Sequence, residues 1–146
     1  MSLPCDRIVK FIRRHHVMTL ATSVGGDPWC ANLFYAYMPR ENLFVFTSER
    51  STKHAADALA NNKVAGSIVL ETKVVGRVQG VQLEGVMRGA AESGIAGAKA
   101  AYLKKFPYAA AFPLELWTIE PTLMKFTDNT LGFGKKIIWT KYGEEE

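Results

Sequence analysis

The chain has 146 residues, of which 48% are hydrophobic and 22% are charged, and its formal net charge is +4. These values are typical of a soluble globular protein, and we expect a single domain over residues 1–146. No apolar run approaches the roughly 20 residues that span a bilayer, and the N-terminal segment lacks the apolar core of a signal peptide. We therefore expect a cytoplasmic protein with no membrane partner. The two cysteines, Cys5 and Cys30, have no CxxC spacing and predict neither a disulfide framework nor a metal site.

The first predicted element is an amphipathic helix that contains RIVKFIRRHH, residues 7–16. Ile8 and Ile12 share one face of this helix, and the basic residues occupy the rest. Such a cluster of cations has two interpretations: a nucleic-acid site or the solvated face of a helix. We favour the solvated face, because the other basic residues of the chain are interspersed with acids and form no continuous stripe. No nucleic-acid partner is expected.

Short β-branched and apolar segments separated by turn signals predict strands through most of the remaining chain. The predicted strands cover residues 17–23, 29–38, 43–48, 63–71, 74–92, 114–121, 122–128 and 135–141. The first three are joined by GGDP and PREN and predict an antiparallel meander. In the second strand Cys30 is expected to be a small buried residue. Gly80 and Gly85 predict bulges or sharp bends, as in a sheet that curls into a barrel. Helical spacing predicts helices over residues 52–60 and 95–106.

The junction FTSERSTKHAADALANN, residues 46–62, passes from a strand to a helix through a dense group of polar side chains. This group consists of Thr47, Ser48, Ser51, Thr52 and Lys53. Helix N-termini present unpaired N–H groups and partial positive charge, so the group is suited to hold an anion such as a phosphate. The alternative is that Ser48 or Ser51 is the N-cap of the helix and that Lys53 is solvated. The residues alone favour the cap, which is common before helices.

Several segments, in order, resemble the pyridoxamine-phosphate-oxidase-like FMN-binding split-barrel superfamily and, within it, the small bacterial YhbP-like family. These segments are TLAT, the G-D-P hairpin, LFVFTSERSTKHAADALANN, VQLEGVMR and DNTLGFG. The resemblance implies a mainly β (α+β) fold, an antiparallel split β-barrel with a few peripheral helices. It also implies a homodimer with FMN at the interface, acting on a small molecule as an FMN-dependent oxidoreductase. The alternative is a non-catalytic module of the same fold that binds a flavin, haem or another flat ligand.

The resemblance further implies that the phosphate of FMN faces Thr47, Ser48, Ser51, Thr52 and Lys53, and that Gln82 approaches the edge of the flavin ring. For Gln82 the alternative is the polar face of an amphipathic strand. Proteins of this fold usually have two adjacent basic residues at the helix start, where this chain has Thr52 and Lys53, and the segment TLATS has none. Weaker phosphate binding is expected from these differences. No catalytic residue is predicted, since a flavin would supply the redox chemistry.

Overall fold

The computed structural model describes residues 2–93 and 95–143, with the backbone alone for residues 92 and 93, and its body is a sheet of eight strands. The strands are β1 (Val17–Val24), β2 (Asp27–Phe34), β3 (Ala36–Met38), β4 (Leu43–Thr47), β5 (Lys63–Val69), β6 (Gln79–Gly89), β7 (Leu116–Asp128) and β8 (Lys136–Thr140). The α-helices are α1 (Asp6–Arg14), α2 (Lys53–Ala60), α3 (Ala90–Ser93) and α4 (Ala98–Lys105). None of the described helices is long and apolar enough to cross a membrane.

The strand order is β2-β1-β5-β6-β7-β4-β3, with β8 paired to β7, and every pairing is antiparallel. Strands β2 and β3 lie at opposite edges, yet only Tyr35 separates them in the chain. The sheet must therefore curve until its two edges approach each other, as in a barrel that is open along one seam. The mainly β (α+β) fold class and the antiparallel split β-barrel are confirmed.

The predicted three-strand meander is wrong as one continuous unit, because the second predicted strand is divided into β2 and β3. The antiparallel pairs β1–β2 and β3–β4 both form, but β2 and β3 lie at opposite edges of the sheet, and the other neighbour of β4 is β7. Tyr35 interrupts the second predicted strand. Its backbone N–H donates to the carbonyl of His16 at 3.0 Å, and its buried hydroxyl donates to the carbonyl of Ile12 at 2.6 Å. Only the short β3, after this interruption, pairs with β4. The two bonds of Tyr35 hold the chain at the seam, where it leaves one edge of the sheet and begins the other.

The core fills the inside of the curved sheet, and α1 closes part of it. Ile8, Phe11 and Ile12 of α1 are fully buried, as the amphipathic pattern predicts. They pack in one cluster with strand residues such as Phe126, whose ring centre lies 5.2 Å from that of Phe11. The basic residues of α1 remain exposed or line surface cavities.

Both boundaries of the predicted strand 74–92 are wrong, because β6 covers only Gln79–Gly89. The segment 74–92 is not one strand: residues 75–77 form a 3₁₀ turn, and the chain is helical again from Ala90. Asn129 explains the turn, because its side-chain amide donates to the carbonyl of Val75 and its backbone N–H donates to the carbonyl of Val78. These carbonyls are satisfied outside the ladder, so the segment does not need to continue as a strand.

The two predicted strands 114–121 and 122–128 are one continuous strand, β7. Pro121 does not end it, because Pro121 lies opposite Gly85 where the β6–β7 register shifts between Glu84 and Gly85. A bulge tolerates proline, which has no N–H to donate. The predicted bulge at Gly85 is thus confirmed. No register shift occurs at Gly80, which pairs in sequence with Val69 and Thr127.

One face of the sheet points away from the core, and we call it the outer sheet face. A row of paired residues crosses it from β2 to β8: Asn32, Thr19, Ser67, Gln82, Lys125 and Ile138. Cys30 lies on the same face opposite Ala21 and is exposed, so the prediction that it is buried is wrong. The reason is that β2 is an edge strand whose side chains have little above them.

Candidate functional site

The β4–α2 junction is organised around the N-cap of α2, which is Thr52 and not Ser48 or Ser51. The Thr52 hydroxyl accepts from the backbone N–H of Ala55 at 3.3 Å and donates to the carbonyl of Glu49 at 2.8 Å. Within residues 2–93 and 95–143, the N–H groups of Lys53 and His54 have no hydrogen-bond acceptor. The helix start therefore keeps two donors free for an anion.

Ser48 is fixed in place by three contacts. Its backbone N–H donates to the carbonyl of Glu115 at 3.1 Å, and its carbonyl accepts from the indole N–H of Trp117 at 2.8 Å. Its hydroxyl lies 2.6 Å from Nε2 of His54. Burial lowers the pKa of His54, although the nearby charge of Asp57 opposes this effect. The neutral imidazole is thus favoured, and a neutral ring can accept a hydrogen bond from Ser48.

Lys53 lies beside a buried carboxylate that the sequence analysis did not include. Its Nζ is 3.3 Å from Oδ1 and 3.4 Å from Oδ2 of Asp57, whose exposed fraction is 8%. The hydroxyl of Thr22, on β1, donates to Oδ2 of Asp57 at 2.9 Å. The Lys53 ammonium also lies 5.3 Å from the centre of the Trp29 ring, within cation–π distance. The predicted phosphate anchor therefore already has a partner inside the protein.

The other predicted site residues make fewer contacts with the β4–α2 junction. Thr47 is the last residue of β4, half-buried and paired with Leu116. Ser51 is in the turn before α2 and is exposed. Gln82 lies on the outer sheet face, in register with Ser67 and Lys125, and not at the junction. The structure thus brings Ser48, Thr52 and Lys53 together and leaves Gln82 on a separate surface.

A cavity of about 580 Å³ lies between β1, β5 and β6, and most of its lining residues, such as Ala65 and Glu84, belong to the outer sheet face. Thr22 also lines this cavity, and its hydroxyl donates to Asp57 at the junction. Lys63 and Glu84 contribute one charge of each sign to the lining. The volume lies in the range of small-molecule and cofactor sites. In the described part of the chain, no group of three or more His, Cys, Asp or Glu side chains is arranged to hold a metal ion.

Three residues that contact the predicted site residues were not predicted from the sequence: Thr22, Trp29 and Asp57. Asp57 had a local signal, because it follows Lys53 by four residues in a predicted helix and such pairs meet on the helix surface. Thr22 and Trp29 had none, since only the packing of α2 against β1 and β2 brings them to the junction. His54 was not among the predicted site residues either, and it is half-buried against Ser48.

Solved structures similar to this one share its fold. A haem-binding protein from Mycobacterium smegmatis has a TM-score of 0.71 and 21% sequence identity, over 86% of this chain and 52% of that protein. An FAD-binding protein from the same organism has a TM-score of 0.62 and 15% identity, over 95% of this chain and all of that one. A candidate pyridoxamine 5′-phosphate oxidase from Listeria innocua has a TM-score of 0.63 and 12% identity, over 83% and 95% of the two chains.

Sequence relatives extend over nearly the whole chain. A UPF0306 protein of Photorhabdus laumondii is 38% identical over 135 residues, which is 92% of this chain and 94% of the relative. The UPF0306 protein YhbP of Escherichia coli O157:H7 is 37% identical over 134 residues, or 92% and 91% of the two chains. No family model matches the chain. Because these relatives are more than 30% identical over nearly the whole chain, the chain belongs to the UPF0306 (YhbP) family.

Proposed function

We propose that this protein binds FMN or a related flavin, with the flavin phosphate held at the β4–α2 junction, and that the bound flavin oxidises or reduces a small molecule. One observation carries this proposal: at the start of α2 the N–H groups of Lys53 and His54 have no acceptor among the described residues, and the ammonium of Lys53 belongs to the same helical turn. Free N–H groups at the positive end of a helix dipole are suited to phosphate. The flavin would supply the redox chemistry.

The contacts of the junction suggest how a phosphate would be accommodated. The Lys53 side chain is 53% exposed, so it can turn from Asp57 toward an anion while Thr22 continues to satisfy the carboxylate. Ser48 would donate its hydroxyl proton to the phosphate only by giving up its contact with His54. Thr52 would keep its role as N-cap. Thr47 and Ser51 would lie at the margin of the bound phosphate, and Gln82 would contact the ligand only from a different surface.

Asp57 weakens this site for a dianion, because its carboxylate competes for Lys53 and repels the phosphate. The FMN affinity should therefore be lower than in a site with two free cations. This conclusion agrees with the expectation drawn from Thr52, which occupies a position where related proteins usually have a basic residue.

Titration of FMN and riboflavin, followed by fluorescence quenching, tests the phosphate site. Lys53→Ala should weaken FMN binding about tenfold, because it removes one charge-assisted contact. Riboflavin has no phosphate, so it should bind weakly and with the same affinity in both proteins. Arg50→Ala is the matched control, since Arg50 is occupied by Glu115 at 3.8 Å and by the Trp117 ring. Equal losses for FMN and riboflavin, or an equal loss in Arg50→Ala, would show that Lys53 does not hold the phosphate.

We further propose that two copies of the chain pair through the outer sheet face. Four large apolar side chains on this face are unusually exposed, at 45–64%: Val17, Phe34, Val69 and Ile138. A second copy would cover them, and obligate homodimer interfaces commonly bury about 2,000 Å² or more. Sedimentation at micromolar concentration should show twice the chain mass. Ile138→Glu should shift the protein toward monomer, whereas Phe112→Glu, at an exposed apolar residue outside this face, should not. A monomeric wild type would contradict the pairing.

A non-catalytic carrier is the second candidate, and the similarity in fold to a haem-binding protein favours it. The two functions differ in the behaviour of the flavin once it is bound. An oxidoreductase should lose the visible absorbance of its flavin when NADPH or NADH is added without oxygen. A carrier should keep that absorbance, and a haem carrier should shift the Soret band of added haemin. A stable flavin spectrum in the presence of both reductants would favour the carrier.

A further inference from the structure

A second cavity, of about 560 Å³, lies away from the β4–α2 junction. Its walls come from the C-terminal end of α1, from β3 and the turn at residues 39–42 that comes after it, and from α4. None of the residues predicted to hold the flavin lines it. Any ligand of this cavity would therefore contact different side chains from those of the proposed flavin site.

The lining of this cavity is strongly basic. Four cations, Arg13, Arg40, Lys104 and Lys105, face one carboxylate, Glu41. No acidic side chain that the structure describes forms an ion pair with any of the four. The position of Lys104 and Lys105 in the last turn of α4 suits the helix dipole. The dipole does not explain Arg40, which lies in the turn after β3 and adds a positive charge from another element.

Lys105, one of these four cations, is half-buried and lies close to the positive charge of Arg13. Its ammonium donates to the carbonyl of His15 at 2.6 Å and lies 4.5 Å from the centre of the Tyr35 ring. Burial and the positive charge of Arg13 lower the pKa of Lys105 to about 8. An anion in the cavity would offset the repulsion between Lys105 and Arg13, because its negative charge would attract both cations.

The remaining wall of the cavity is mainly apolar. Ala36, Tyr37 and Met38 of β3 line it, together with Ala101 of α4. The Tyr37 hydroxyl donates to the side-chain oxygen of buried Asn42, so the polar atom of this tyrosine is satisfied within the protein. Asn42 has φ 54°, a left-handed conformation that asparagine tolerates. The anchored turn holds Arg40 next to an apolar surface.

We propose that this cavity is a second binding site, for a small organic anion: a phosphate monoester or a carboxylate with an apolar body. The cations of three separate elements would hold the charged group, and the wall formed by Tyr37 and Met38 would pack against the apolar body. Small-molecule sites combine these features, an apolar lining with a few converging polar groups. Inorganic phosphate would use only the cations and would bind more weakly than an organic phosphate.

Isothermal titration at physiological salt, with phenyl phosphate, benzoate, inorganic phosphate and phenol as probes, tests this proposal. Phenyl phosphate or benzoate should bind more tightly than inorganic phosphate, and phenol should not bind measurably. The tighter of the two organic anions identifies the preferred charged group. Arg40→Gln and Lys104→Gln should each weaken the binding of that probe about fivefold or more, through the loss of one charge-assisted contact. All variants should keep the circular dichroism spectrum of the wild type, since both side chains are exposed.

Two control variants make the outcome decisive. Lys99→Gln removes an exposed cation from the same helix, α4, outside the cavity, and should leave the affinity unchanged. Lys53→Ala alters the β4–α2 junction and should also leave it unchanged. An equal loss in Lys99→Gln would show that the probe responds only to net charge, which would overturn the proposal. A loss in Lys53→Ala, measurable phenol binding or no binding of either organic anion would overturn it as well.

Discussion

Asp57→Asn separates the structural role of the carboxylate from its effect on an anion at the junction. The carboxylate accepts a hydrogen bond from Thr22, which is 3% exposed, and forms an ion pair with Lys53. An asparagine oxygen can still accept the bond from Thr22. The loss is then the difference between a charge-assisted and a neutral hydrogen bond, about 1 kcal/mol. The ion pair adds less than about 0.5 kcal/mol, because the Lys53 side chain is half exposed.

The free energy of unfolding should therefore fall by about 1–1.5 kcal/mol, which lowers Tm by about 3–5 °C for a chain of this size. FMN affinity should move in the opposite direction. At a separation of about 6 Å in water, two unit charges repel by about 0.7 kcal/mol, and a phosphate monoester carries nearly two charges. The removal of this repulsion should tighten FMN binding about five- to tenfold.

The assay is thermal unfolding combined with FMN titration of the same protein samples. Glu71→Gln is the control, because it removes an equally charged but exposed side chain from a loop and should change neither quantity much. An Asp57→Asn protein that is destabilised as expected but binds FMN no better than the wild type would refute the idea that Asp57 competes for the phosphate anchor. A gain of the same size in Glu71→Gln would attribute the effect to net charge.

Two further predictions concern the fold and its pH dependence. Gly85→Ala should lower the free energy of unfolding by about 2 kcal/mol or more, because the added Cβ would lie 2.6 Å from the backbone carbonyl oxygen of Glu120. Gly76→Ala is the control, since its Cβ would meet nothing within 4 Å and Tm should stay nearly unchanged. Equal thermal shifts in the two variants would contradict this prediction. Burial keeps the pKa of His54 below 6.5, so the folded state favours the neutral ring. The resulting contribution to the free energy of unfolding is present above pH 6.5 and is lost as the pH falls through the folded-state pKa. This contribution is at most about 0.5 kcal/mol for a half-exposed ring. Between about pH 7.5 and 5.5, Tm should therefore fall slightly more in the wild type than in His54→Gln. Parallel curves of Tm against pH for the two proteins would contradict this role of His54.

The local part of the fold could be predicted from the sequence. Alternation of apolar residues located most of the strands to within a few residues, although it began β6 too early and divided β7 in two. The isoleucines of α1 indicated the correct buried face. Pairing could not be predicted in the same way, because β4 joins β7 across roughly seventy residues and no local pattern records that contact. Pro121 shows the same limit: it suggested the end of a strand, and only its position opposite the bulge at Gly85 explains why β7 continues.

The site was predictable to the same degree. Ser48, Thr52 and Lys53 are close in sequence, so a strand followed by a helix was enough to place them together. Their partners come from other elements: Thr22 and Trp29 reach the junction only when β1 and β2 pack against α2. This packing changes the chemistry of the site, because Thr22 stabilises the buried carboxylate that competes for Lys53.

Retention of FMN by the purified protein tests the central claim most directly. The wild-type protein, at high micromolar concentration, would be dialysed to equilibrium against a small excess of FMN and examined by visible absorbance, with riboflavin in a parallel sample. We predict retention of FMN on the protein side at close to one FMN per chain, while riboflavin is distributed almost equally between the two sides. An equal concentration of FMN on both sides, or equal retention of FMN and riboflavin, would contradict a flavin site anchored by the phosphate.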